Sequence, residues 1–263
     1  MVYNYNKGND EGPLNNLNNN FSFFVEDIEE KFPESKNNIL LNFVKQKKRI
    51  LHIFCMNAAF GFNKILKEGP HSIIITSGTL APLNGMESEL NIKFNIKLEG
   101  NHIIEKNQIH LGVISNTKYN INENFLFTLK NRDNNEMIIN LGKIIIDICQ
   151  VSPGGVLCFF PSYALKEIVL KLWEEKNIIK KIKEYKYFYD DTKKIKSKKH
   201  IFDSFKNSNN WNNRGSILFS VCRSSFAEGI NFADNEARLV IIIGIPYANM
   251  GDAKIRLKID FQD

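Results

Sequence analysis

A guanidinium, a carboxylate, a glycine and an amide follow one another in the segment CRSSFAEGIN: Arg223, Glu228, Gly229 and Asn231. Arginine presents a planar fork of donors that fits a phosphate. Glu228 can orient that arginine or pair with it, and Gly229 permits close backbone approach to a ligand. The same residues also describe a surface Arg–Glu pair beside a turn glycine, which stabilises little. A second group closes the apolar run Ile73, Ile74, Ile75: Thr76, Ser77, Gly78 and Thr79, followed by Leu80. In open α/β sheets, ligands bind beyond the carboxyl ends of the strands, so these hydroxyls stand where such a fold keeps its site. A third pair, Ser162 and Tyr163, follows the apolar run VLCFF and opens a helix. The most economical role for Ser162 is helix N-cap. The free amides of a helix N-terminus also favour a phosphate, which Ser162 could share.

Such groups act only if strand ends converge. Residues 51–56, 73–77 and 108–114 read as strands, as do 156–160, 217–222, 239–247 and, more weakly, 185–189. Ile138, Leu141, Ile144, Ile145 and Ile148 fall on one face of a helix over 137–150. Ser152-Pro153-Gly154-Gly155 breaks that helix. A second stripe, Leu165, Ile168, Val169, Leu172 and Trp173, marks the helix after Ser162. Strands alternating with helices predict an α/β fold, a parallel sheet covered on both faces. Residues 1–20 are Asn-rich and read as a disordered lead. Residues 207–215 read as a polar loop, and the basic run 193–199 (KKIKSKK) as a solvated loop or helix face.

The bulk properties set bounds. A chain of 263 residues can bury a real core. Its net charge of +6 suits a polyanion partner but does not specify one. Cys55, Cys149, Cys158 and Cys222 lack CxxC spacing and sit in or beside apolar runs, which predicts buried, reduced thiols rather than metal ligands. No apolar run reaches 18 residues, so neither a transmembrane helix nor a membrane partner is expected. The N-terminus lacks the basic-then-apolar order of a secretory leader.

Several segments, in order, resemble the XPD-like DNA helicases of superfamily 2. TSGTLAPLNGMESEL resembles the family's motif III, LCFFPSYALKEIV its motif IV, and CRSSFAEGINFADNEARLVIIIGIPYAN its motif V with the following strand. The stretches 51–59 and 98–115 fit as well, and the likeness runs from about residue 40 to the end. The wording is most similar to the branch of the regulator of telomere elongation helicase and the Fanconi anaemia group J helicase. The resemblance implies a RecA-like second motor domain over 71–263, truncated before its last motif. Residues 21–70 would then be a junction from the preceding motor and arch region. It implies an ATP-dependent 5′→3′ DNA helicase of the nucleus, acting in DNA repair or telomere maintenance. Single-stranded or forked DNA and a first RecA-like motor domain would be its partners. Ser77, Gly78, Thr79 and Leu80 would couple nucleotide state to DNA grip. Thr79, Ser162, Tyr163 and Arg223 would contact DNA. Glu228, Gly229 and Asn231 would line the nucleotide cleft.

The sequence lacks a GxxxxGK[ST] loop, a DEAH-type strand end, the family's four-cysteine Fe–S motif and its closing QxxGRxxR motif. The resemblance therefore implies that ATP and Mg²⁺ are shared with the first motor domain. The Fe–S cluster would belong to the full-length family and not to this chain, and this portion would not hydrolyse ATP alone. Motif V departs from the family's CRGKxSEGxDF: Ser224 and Ser225 stand for Gly-Lys, Ala227 for Ser and Asn231 for Asp. Those changes remove a phosphate contact and a charge. They leave open an alternative, an inactive helicase relic that serves as a DNA- or protein-binding module. An unrelated nucleotide- or sugar-binding α/β enzyme is disfavoured, because no glycine-rich phosphate loop is present.

Overall fold

A computed structural model describes residues 20–33, 43–119, 125–128, 130–191, 198–211, 214–227, 230–248 and 250–262. The chain divides into two compact units, one formed by 1–108 with 249–263 and the other by 109–248.

The second unit carries the parallel sheet. Strands β3 (Val156–Phe160), β4 (Tyr187–Asp190), β5 (Ser216–Val221) and β6 (Leu239–Ile242) lie in the order β4-β5-β3-β6, all parallel. Strands β1 (Phe21–Pro33) and β2 (Phe43–Cys55) belong to the first unit. Every residue of β3 and of β5 is buried, as continuous apolar runs covered on both faces should be. Val156, Cys158 and Phe160, with Ile217, Phe219 and Val221, share a core with three helices. These are α3 (Asn135–Val151), α4 (Tyr163–Glu175) and α5 (Ile178–Tyr185); α1 (Ala58–Lys67) and α2 (Leu83–Leu90) belong to the first unit. Leu157, Phe159 and Leu218 point to the other face and pack on Ile201 and Phe205 of α6 (Lys198–Trp211). Period-two alternation along two central strands thus divides the core between two helical layers. This is the α/β class expected from the sequence.

Local signals explain the helix boundaries. The Asn134 side chain accepts from the amides of Glu136 and Met137, which starts α3. Gly142 lies midway along α3 because a β-carbon there would come within 2.8 Å of Trp173 Nε1 and 2.9 Å of Ile178. That close approach lets the Trp173 indole donate to the Ile138 carbonyl at 2.8 Å. The polar stretch predicted as a loop from 207 is instead the last turns of α6. There Phe205 and Asn209 are buried, and the Asn209 side chain accepts from the amide of Ser216. Residues 193–197 of the basic run, Glu228, Gly229 and residues 1–19 of the expected lead lie outside the described residues.

The first unit is built otherwise. Strands β1 (Phe21–Pro33) and β2 (Phe43–Cys55) form a long antiparallel pair. Cross-strand partners meet directly: Arg49 Nε bonds Asp27 at 2.9 Å, and the His52 ring stacks on Phe24 at 4.5 Å. Helices α1 (Ala58–Lys67), α2 (Leu83–Leu90) and α7 (Ala253–Gln262) complete it. The expected strands at 73–77 and 108–114 do not form, and Ile74 is 87% exposed. β-Branched runs favour extended backbone, but a strand persists only where a neighbour accepts its ladder bonds. Among the described residues no strand pairs with these runs. Cys149 and Cys158 are buried as expected, whereas Cys55 is exposed and Cys222 half-buried. Cys55 is the last residue of β2, and its thiol donates to the Asn57 carbonyl at 3.3 Å.

Candidate functional site

The carboxyl ends of the parallel strands bring together three of the second-unit candidates, Ser162, Tyr163 and Arg223. Ser162 follows β3 with extended backbone, and its hydroxyl accepts from the Leu165 amide at 3.3 Å. It is the N-cap of α4. A hydroxyl that accepts one bond still carries a proton to donate. Tyr163 is the first residue of α4 and 43% exposed. Burial of part of its ring, and then the charges of Asp191 and Asp190, raise its phenol above the ordinary range.

Arg223 lies in the turn that leaves β5. Cys222 N–H donates to the Phe160 carbonyl at 2.8 Å, which fixes the turn's start against β3. The turn closes through Ser224 N–H to Val221 O at 3.1 Å and Ala227 N–H to Ser224 O at 2.9 Å. Arg223 adopts φ of 64°, the left-handed region that residues with a β-carbon seldom occupy. Its guanidinium is exposed and donates to the Pro246 carbonyl, beyond β6, at 3.3 Å. Asn231 is exposed farther along the same connection.

Beneath these residues lies a polar cluster that sequence reasoning missed. Lys166 is fully buried, and its ammonium bonds Asp190 Oδ1 at 2.7 Å and Asp191 Oδ1. Asp191 Oδ2 accepts from Ser220 Oγ at 2.5 Å, and Ser220 Oγ meets Ser224 Oγ at 2.9 Å. The Lys166 ammonium also lies 5.3 Å from the centre of the Tyr163 ring. A signal for Lys166 existed. It precedes Val169 by three and Trp173 by seven residues, which places it on the buried face of α4, while Ile168 of the predicted stripe is 48% exposed. Nothing in the sequence marked Ser220, a hydroxyl inside an apolar strand.

The first-unit candidates make a local turn. Thr79 N–H donates to Ser77 Oγ at 3.2 Å, and the two hydroxyls stand 3.3 Å apart. Gly78 and Thr79 form the bend, and a β-carbon on Gly78 would meet nothing within 4 Å. Ser77, Gly78 and Thr79 are exposed and Leu80 is half-buried. The strand predicted to present them is absent. Among the described residues no three His, Cys, Asp or Glu side chains are arranged to hold a metal, and no helix is long and apolar enough to cross a membrane.

Residues 145–263 match the Helicase C-terminal domain family. The chain is 35% identical over 221 residues to a regulator of telomere elongation helicase 1 homolog of Anopheles gambiae, covering 84% of this chain and 22% of that protein. The Oryza sativa homolog is 33% identical over 236 residues, covering 82% and 22%. The Rattus norvegicus regulator of telomere elongation helicase 1 is 31% identical over 220 residues, covering 83% and 17%. The chain thus spans about a fifth of the length of these relatives. A solved XPD helicase structure aligns with a TM-score of 0.49 at 23% identity, over 81% of this chain and 35% of that one.

Proposed function

The chain belongs to the XPD-like helicase family, and from that premise we propose that it is the C-terminal motor portion of an ATP-dependent 5′→3′ DNA helicase of the nucleus. Its work would be DNA repair or telomere maintenance. The observation that carries this reading is the convergence of Ser162, Tyr163 and Arg223 at the carboxyl ends of one parallel sheet, inside the helicase C-terminal match. An exposed tyrosine ring and an exposed guanidinium suit single-stranded or forked DNA, through base stacking and phosphate contact. Ser77 to Leu80 would couple nucleotide state to that grip. Glu228, Gly229 and Asn231 would face a nucleotide cleft closed by a first RecA-like motor domain, with ATP and Mg²⁺ shared between the two.

Binding of a fluorescent oligothymidylate to this chain, titrated across salt concentrations, tests the reading. Affinity should fall steeply with salt, and each lost phosphate contact should lower the logarithmic slope by about 0.7. No ATP hydrolysis is expected from this portion alone. Failure to bind at low salt would overturn DNA contact by these residues.

A second reading has one observation behind it. Ser224 stands where the family carries glycine, and its hydroxyl is engaged by Ser220. A motif committed to internal contacts fits an inactive relic that binds DNA or protein. Restoring Ser225→Lys and Asn231→Asp in the complete protein separates the two: a working motor gains unwinding rate, a relic gains nothing.

A further inference from the structure

Two elements of the second unit carry residues assigned to DNA contact, and one buried polar chain joins them. The first turn of α4 holds Tyr163, and the turn after β5 holds Arg223. Starting from Tyr163, its ring lies 5.3 Å from the Lys166 ammonium. That ammonium is bonded to Asp190 and Asp191, Asp191 to Ser220, and Ser220 to Ser224 in the turn. Lys166 is wholly inaccessible, and Asp190, Ser220 and Ser224 are buried. None of these four can touch a polyanion from within the fold. Buried charges persist where each is paired and hydrogen-bonded, and such networks fix one arrangement rather than add net stability.

We infer that Lys166, Asp190, Asp191, Ser220 and Ser224 form a positioning network that holds the turn carrying Arg223 in register with the first turn of α4. The strained backbone of Arg223 is the reason such a hold is needed. A non-glycine residue at φ of 64° relaxes unless its neighbours over-determine it. Ser224, the next residue, is fixed three ways: its amide to Val221, its hydroxyl to Ser220, and the same hydroxyl accepting from the Phe226 amide at 3.3 Å. The serine that replaces the family's glycine is therefore the turn's anchor. This inference rests on the DNA-binding reading for its consequence, but the mechanical part stands apart from it.

Ser220→Ala cuts the network at one atom and leaves the ion pairs of Lys166 in place. Ser216→Ala is the matched control: same strand, equally buried, and bonded through its hydroxyl to Phe205 O at 3.3 Å, outside the network. Two readouts are taken on the full chain. In amide hydrogen exchange, residues 222–227 should exchange about fivefold to tenfold faster in Ser220→Ala, the scale of one lost hydrogen bond, and at the wild-type rate in Ser216→Ala. In oligothymidylate titrations, Ser220→Ala should lower the salt slope by about 0.7, as Arg223→Ala does, while Ser216→Ala keeps the wild-type slope. Unchanged exchange in Ser220→Ala overturns the network. Faster exchange with an unchanged slope, where Arg223→Ala lowers it, overturns the link from network to DNA contact. Faster exchange in a chain that never binds DNA supports the network and overturns only the DNA-binding reading.

Discussion

Arg223 shows how one residue can be held against its own preference. Left-handed backbone crowds a β-carbon by about 1–2 kcal/mol. Arg223→Gly and Arg223→Ala both delete the guanidinium, but only glycine relieves that crowding. The glycine variant should unfold about 1 kcal/mol harder than the alanine variant in urea, with both losing the same share of oligothymidylate affinity. Equal stabilities would show that the turn relaxes freely. A second residue-scale consequence concerns the thiols. Burial pushes Cys149 from an ordinary 9.0 to about 12, and burial raises Cys158 and Cys222 as well. An acid whose folded value is raised lends stability that is complete below its unfolded value and is lost as pH climbs through the folded one. Urea midpoints in reducing buffer should therefore fall between pH 9 and 12, and fall less in Cys149→Ala. Lys186 works the other way, because burial lowers its amine and its contribution grows as pH approaches 10.5. One amine opposes three thiols, so the net decline should survive.

At the scale of elements, the contact among α3, α4 and α5 depends on Gly142. Alanine would improve the intrinsic helix propensity there by about 1 kcal/mol. Its methyl would also press on the buried Trp173 indole and Ile178, and overpacking of that kind costs about 1–3 kcal/mol. The second term wins because neither neighbour is a flexible surface chain. Gly142→Ala should lower the urea midpoint and quench the protection of the Trp173 indole N–H, which now donates to Ile138 O. An unchanged midpoint would mean that α3 can shift away without loss. The buried ion cluster follows a different rule at this scale. Lys166→Met alone would take the ammonium away from two buried carboxylates, so it should destabilise far more than Gly142→Ala does.

For the whole molecule, the notable feature is apolar surface left uncovered. Ile74, Ile96, Leu98, Ile103, Leu111 and Val113 are almost fully exposed, and Val240 and Ile242 of the edge strand β6 are more than half exposed. Exposed apolar side chains and strand edges both favour association. Sedimentation velocity should show a sedimentation coefficient that grows with concentration, along with enhancement of a hydrophobic dye's fluorescence. Ile242→Lys, placed on the exposed edge, should weaken that association. A concentration-independent monomer that leaves the dye dark would contradict this expectation.

The sequence by itself determined the α/β class, the two central strands, the amphipathic helices α3 and α4 and the cap at Ser162. Each of these is dictated by local periodicity or by a side chain bonding its own next turn. Ordered motifs likewise placed the chain in its family. Only the tertiary structure decided that Lys166 faces inward, that Ser220 and Ser224 join it to the turn of Arg223, and that Ile73 to Ile75 form no strand. These outcomes depend on partners far apart in sequence. A buried ammonium needs carboxylates from β4 and the turn beyond it, and a strand needs a neighbour to accept its ladder, and neither requirement is written in local spacing.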